Sequence, residues 1–369
     1  MNILLTNFHP GKGGGHTTYL NYLFNDISSL RSSINIYIAV PKTSKLNQDL
    51  KKNFQSKVFD IDFPGKPKNF LKIIKNVKAF SKLVKKNKIN IVHTNGTPDH
   101  KIVMLCKWFY KLDYKIVRTK HDSFPIKQHW FAKKLYDKYT DELIVVSRYQ
   151  YTKISDINLK NKTTIICNGV DLKYFKPRKK SKKLANKFQL LDSDLVFVSV
   201  AGTATYKGWQ LLVEATSRLD KNLRDSIKII IVGNSPAEYE IEKFVNTFKM
   251  QDNVIFTGFM SDVRNVISVA DLCFVLSTNT ETISFACREM MSMGRAVLVS
   301  DYAGLPENVT HQEDGWIVKS NSVREIVKFI RYLPEVDLEK LSQNAYKKAQ
   351  NEFGSEKFIE KTLSIYYSL

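Results

Sequence analysis

Two carboxylates, Glu281 and Glu289, stand eight positions apart in the run Thr280-Glu281-Thr282-Ile283-Ser284-Phe285-Ala286-Cys287-Arg288-Glu289. An apolar stretch, Leu272 to Leu276, precedes them and another, Ala296 to Val299, follows. That pattern puts Glu281 on a strand-to-helix turn and Glu289 inside the helix. At a rise of about 1.5 Å per residue, the two side chains are at most ~12 Å apart. Such a pair can accept hydrogen bonds from hydroxyls at both ends of one polar ligand. The amides of Thr282, Ile283 and Ser284, at the expected helix start, favour an anion between those ends. Taken alone, the spacing also suits an ordinary amphipathic helix with solvated charges.

Other segments carry polar chemistry at strand ends. Gly11-Lys12-Gly13-Gly14-Gly15-His16 follows the first apolar run and opens a helix, so backbone amides at Gly14 and Gly15 can approach an anion without a Cβ in the way. It is not a Walker A loop, and position 16, where the dinucleotide fingerprint needs its third glycine, is His. His93 and His121 each end a buried-looking strand, and Asp122 follows the second. A lone histidine at a strand end is as readily a satisfied core group, the reading favoured for His93. Lys207, in Gly202-Thr203-Ala204-Thr205-Tyr206-Lys207-Gly208, follows the first apolar run of the second half, where it can neutralise a diphosphate leaving group. Asn168-Gly169-Val170-Asp171 is a turn by composition.

In order along the chain, the Gly11–Gly15 loop, the Asn168–Asp171 turn, Tyr206-Lys207-Gly208 and the Glu281/Glu289 pair resemble the retaining glycosyltransferases of family 4, with the GT-B fold. The resemblance spans nearly the whole chain. It implies a nucleotide-sugar donor (UDP-, GDP- or ADP-linked), with Glu281 on the sugar, Glu289 on the ribose and Lys207 on the diphosphate. It also implies His121 over the donor sugar, with His16 and Asp122 on the acceptor side. An Arg common four or five residues before the lysine is replaced here by Gly202 or Thr203, and Arg264 or an Arg of the first domain is a candidate substitute. Retention at the anomeric carbon is implied, with no metal and no other cofactor. Asp60-Ile61-Asp62 has the metal-holding spacing of a different glycosyltransferase architecture, without that architecture's other signs.

Apolar runs alternate with helix-period segments along the 369 residues, which predicts an α/β protein with parallel sheets and too much chain for one typical core. We expect two doubly wound Rossmann-like domains with a cleft between them: an acceptor domain over 1–175 and a donor domain over 176–352. A last helix, 353–369, is expected to cross back to the first domain. The charged stretch from Lys176 to Lys183 marks the boundary. Seven strands are expected in the first half, from Ile3–Thr6 to Thr163–Cys167, and six in the second, from Val196–Ala201 to Trp316–Val318.

The net charge of +21 is uneven. Met1 to Phe175 carries 31 Lys and Arg against 12 Asp and Glu, and the remainder 26 against 24. A field of that sign attracts nucleic acid, anionic lipid or an anionic substrate. Zinc spacing, a helix-turn-helix and RNP-like aromatic strands are missing from the sequence, which disfavours nucleic acid. The favoured acceptor is therefore an anionic glycolipid or oligosaccharide of the cell envelope, such as a lipopolysaccharide core. The alternatives are a nucleotide-sugar epimerase or hydrolase of the same fold, or a basic nucleic-acid-binding protein. Asn69 to Lys88 reads as an apolar-striped basic helix, and Lys127 to Lys134 includes Trp130 and Phe131; both suit an anionic membrane surface. Scattered cysteines, with no apolar run near 18 residues and no leader-like start, give the expectation of a cytoplasmic protein at the inner face of the membrane.

Overall fold

The computed structural model describes residues 1–11, 14–30, 33–65, 70–127 and 129–369. Lys12 and Gly13 of the glycine loop, Asn69 and Gln128 lie outside the described residues. The chain forms two compact units: Met1–Asn168 together with Phe358–Leu369, and Gly169–Lys357.

The strands are short and β-branched, as in Ile227-Lys228-Ile229-Ile230-Ile231, and most of their residues are buried, the mark of parallel sheets covered by helices on both faces. The first unit holds β1 (Asn2–Thr6), β2 (Asn35–Val40), β3 (Val58–Asp60), β4 (Ile91–Thr94), β5 (Lys115–Lys120), β6 (Glu142–Val145) and β7 (Thr163–Ile165). The second holds β8 (Leu195–Ser199), β9 (Ile227–Ile231), β10 (Val254–Phe256), β11 (Leu272–Val275), β12 (Val297–Ser300) and β13 (Gly315–Val318). Each of the expected strands is present, with ends displaced by a residue or two.

The sheet orders are β3-β2-β1-β4-β5-β6-β7 and β10-β9-β8-β11-β12-β13. Every pairing is parallel, for example Ile3 beside Ile36 and Val198 beside Ile230. In each order the direction of winding reverses once, between β1 and β4 and between β8 and β11. Helices leaving those neighbours go to opposite faces and open a crevice at the strands' carboxyl ends, where doubly wound sheets hold ligands.

The helix Ser355–Ser368 buries Phe358, Ile359, Leu363, Ile365 and Tyr366. Phe358 packs on Tyr19, ring centroids 5.3 Å apart, and the Tyr366 hydroxyl lies 2.5 Å from His93 Nδ1. Those contacts place Phe358–Leu369 in the first unit although it is last in sequence.

Candidate active site

In the second unit the site is assembled by a close approach between two loops. Gly208 has φ +74, and a Cβ there would sit 1.9 Å from the Leu276 carbonyl oxygen, so only glycine allows the β8 loop to rest on the end of β11. The Thr278 amide donates to the Tyr206 carbonyl at 2.8 Å and closes the same contact. Lys207, between these anchors, donates through Nζ to Glu281 Oε2 at 2.7 Å. Ser277 Oγ donates to that same oxygen at 3.2 Å, and Ser300 Oγ holds the Ser277 carbonyl at 2.6 Å. Both ion-pair side chains are mostly buried, at 17% and 10% exposure. Thr280, one residue before Glu281, is held at φ +54, a backbone state uncommon for a threonine and typical of constrained functional loops.

The resemblance puts Glu281 on the sugar and Lys207 on the adjoining diphosphate; in the structure the two side chains form one ion pair. One correction concerns the helix start. The helix runs Phe285–Ser292, and Ser284 is its N-cap, its Oγ accepting from the Cys287 amide at 3.3 Å. Thr282 and Ile283 are therefore buried residues of the loop leading in, and the first-turn amides are those of Phe285 and Ala286.

Glu289 lies one helical turn further on, half-buried, with no carboxylate ion pair among the described residues. Burial pushes its carboxyl up to about 7. Arg264 is not a free cation: its guanidinium is bound to Asp262 at 2.8 and 2.6 Å and stacks on Tyr174 at 3.5 Å. A phosphate would have to compete with Asp262 for it. Nor is Asp60 free, since Lys51 and Asn47 hold its Oδ1 at 2.5 and 2.7 Å.

In the first unit a cluster of rings gathers around the ends of β1, β4 and β5. The His16 ring lies tilted against His121, centroids 4.3 Å apart, and meets His9 edge-on at 4.7 Å. Tyr19 meets His121 edge-on at 4.8 Å. His121 Nε2 is 2.9 Å from Asn95 Oδ1. Asn95 in turn bridges the switch point, its Nδ2 donating to the Thr6 carbonyl at 3.1 Å, while Asp99 Oδ2 accepts from its amide at 2.9 Å and from Thr6 Oγ1 at 2.7 Å. Asp122, the residue after His121, has its carboxylate held by Lys120 at 2.5 Å. Burial lowers the His16 imidazole to about 3 and takes His121 well down too, so both rings are neutral near pH 7. His16 Nδ1 is buried without a hydrogen-bond partner among the described residues. Beside it Gly14, at φ +124, faces open space where a side chain would otherwise stand, and Gly15 starts the helix Gly15–Leu30.

His93 is a core residue: Nε2 lies 2.7 Å from Thr119 Oγ1, and both ring nitrogens are engaged inside the unit. Sequence reasoning missed His9, Asn95, Asp99 and Ser277. Asn95 follows β4 directly, and Ser277 and His9 come shortly after β11 and β1, so the strand-end rule could have flagged all three. Asp99 carries no such mark, because it lies inside the helix Thr97–Tyr110 and meets Thr6 from another strand.

Two family models match the chain, Glycosyltransferase Family 4 over residues 14–174 and Glycosyl transferases group 1 over residues 180–352. The chain is a glycosyltransferase of these families. Among curated relatives of this glycosyltransferase is the UDP-Gal:alpha-D-GlcNAc-diphosphoundecaprenol alpha-1,3-galactosyltransferase of Escherichia coli, 24% identical over 323 residues, 82% of this chain and 81% of the relative. Its fold matches a glycosyltransferase from Rickettsia africae with TM-score 0.84 at 21% identity, covering 100% and 98% of the two chains. It also matches HepE of Anabaena, solved with UDP, with TM-score 0.82 at 18% identity and all of both chains covered. The two parallel-sheet units are those of the GT-B architecture.

Proposed function

We propose that this glycosyltransferase moves a sugar from a nucleotide-sugar, with retention at the anomeric carbon, to a hydroxyl of an anionic, membrane-borne cell-envelope glycan. The observation that carries the reading is the Lys207–Glu281 pair, mostly buried at the switch point of the second sheet, with Glu289 following in the adjoining helix. In this scheme Glu289 accepts from the ribose diol and Glu281 from sugar hydroxyls. Lys207 turns from Glu281 toward the diphosphate as its charge develops. Thr282, Ile283 and Ser284 shape the donor pocket, and the amides of Phe285 and Ala286 add the helix-end field. Arg264 joins only by leaving Asp262. Gly14 and Gly15 offer backbone to the phosphates, while His121, His16 and Asp122 serve the sugar and acceptor side.

A UDP-linked donor is supported by the relative whose name specifies UDP-Gal and by the neighbour solved with UDP. That relative's acceptor is a lipid diphosphate, which agrees with a basic first half and an acceptor on an anionic lipid, a lipopolysaccharide core or a carrier-linked glycan. No helix among the described residues is long and apolar enough to cross a membrane, so membrane contact is proposed through the basic surface of the first unit, at the inner face.

The test is turnover of UDP-, GDP- and ADP-sugars by wild type and Glu281→Gln. The variant should keep its fold and lose most transfer and hydrolysis. Unchanged turnover would remove Glu281 from the sugar site.

A further inference from the structure

The helix Phe70–Lys86 is apolar along one stripe, yet only its second half is covered: Val77, Phe80, Leu83 and Val84 are buried. Its first turns are not, with Phe70 at 64% and Ile74 at 50% exposure. They face Ile102, Leu105 and Phe109 of the helix Thr97–Tyr110 across an apolar groove of about 750 Å³. A second cavity of about 380 Å³ adjoins it, lined by Thr97, Lys120, Asp122, Lys127 and His129 among others. Lys101 and Phe131 line both cavities, and Lys101 Nζ lies 5.7 Å from the Phe131 ring centre, so the cation stands where the greasy chamber meets the charged one.

Three lysines against one aspartate make the smaller chamber cationic, and that aspartate is already paired with Lys120. Phe70, Ile74 and Phe109 stay half exposed or more, apolar surface that a ligand can cover. Apolar groove and cationic pocket, joined end to end, complement one molecular shape: a long hydrocarbon chain ending in a phosphate. We propose that the two cavities are a single binding site for a single-chain lipid phosphate, its chain between the two helices and its phosphate against Lys101, Lys120 and Lys127. Charge-assisted bonds from the lysines fix the head, and burial of the chain supplies the affinity. A role in presenting the acceptor rests on the membrane-borne acceptor proposed above; the binding itself does not.

The experiment is calorimetric titration of the full chain with octyl, decyl and dodecyl phosphate below their micelle concentrations, beside decanol, inorganic phosphate and phosphatidylglycerol vesicles. Affinity should rise roughly fourfold per methylene added. Decanol should bind at least tenfold more weakly than decyl phosphate. Ile74→Trp, which fills the groove, should abolish binding of the chain. Lys101→Glu should cost tenfold or more for the phosphate and little for decanol, and it keeps the test valid if Ile74→Trp fails to fold. Equal binding of decanol and decyl phosphate, or indifference to both substitutions, overturns the site. So does binding to vesicles with none to decyl phosphate, which would mean surface adsorption alone. Donor turnover is assayed separately: a chain that hydrolyses nucleotide-sugar but binds no lipid phosphate loses this inference and keeps the transferase reading.

Discussion

Lys207 and Glu281 neutralise one another at 2.7 Å, so they add little net charge to the proposed donor site. Removing either partner strands a charge with little solvent around it, which in buried pairs costs about 3–5 kcal/mol. Lys207→Ala is therefore expected to lower both the melting temperature and kcat, the latter by about 10²–10³, the usual loss when one electrostatic donor to developing charge is deleted. Lys207→Ala with unaltered kcat would take it out of the leaving-group site. Glu289 makes a different prediction. Its carboxyl is raised to about 7 from an ordinary 4.5, because burial disfavours its charge. The stability this protonation contributes is present below pH 4.5 and lost as pH rises through 7. Binding a ribose diol needs the ionised form, so UDP-sugar affinity should rise roughly tenfold between pH 6 and pH 8, since the donor has no group titrating there. Glu289→Gln should flatten that profile, and calorimetry at three pH values decides it.

The elements that hold these residues were largely legible as a pattern. Thirteen apolar runs became thirteen strands, because buried parallel strands must be short, apolar and separated by turn residues. Helix ends were less legible. The start after Glu281 was placed too early because Thr282 and Ile283 fit the helical period, while the cap that stops it, Ser284, acts through one side-chain bond to Cys287. The sequence over 69–88 reads as one apolar-striped basic helix; whether the first turns of the observed helix, Phe70–Lys86, are covered depends on neighbours supplied from elsewhere in the chain. Gly208 shows the same limit. Its composition says turn, but its necessity comes from Leu276, far along the chain. Gly208→Ala combines an unfavourable φ, about 1–3 kcal/mol, with a backbone clash, and should depress melting temperature and activity together. A variant as stable and active as wild type would show that the two loops part freely.

For the molecule as a whole, the fully buried histidines among the described residues lie in the first unit. His93 and His100 are fully buried there; desolvation takes His93 to about 3 and His100 well below its ordinary 6.5. Groups with depressed folded values give stability present above 6.5, lost as pH falls because the unfolded chain takes up protons that the folded chain refuses. Each contributes a slope of about 1.4 kcal/mol per pH unit below 6.5. Glu289, in the second unit, slopes the opposite way over its own range. Acid should therefore loosen the first unit before the second. Hydrogen exchange at pH 7 and pH 5 checks this: faster opening confined to residues 1–168 and 358–369 is expected, and equal acceleration in both units counts against it.

By itself the sequence determined the two-sheet α/β architecture, the family, and which strand ends carry polar residues, because these follow from local periodicity and from short ordered motifs. It could not determine which polar groups meet. The pairing of Lys207 with Glu281, the Asn95 bond to His121 and the groove beside Lys101 all arise in the packed chain. Side-chain contacts of that kind depend on strand order and loop approach, which bring distant residues within 3 Å, and no local pattern encodes them.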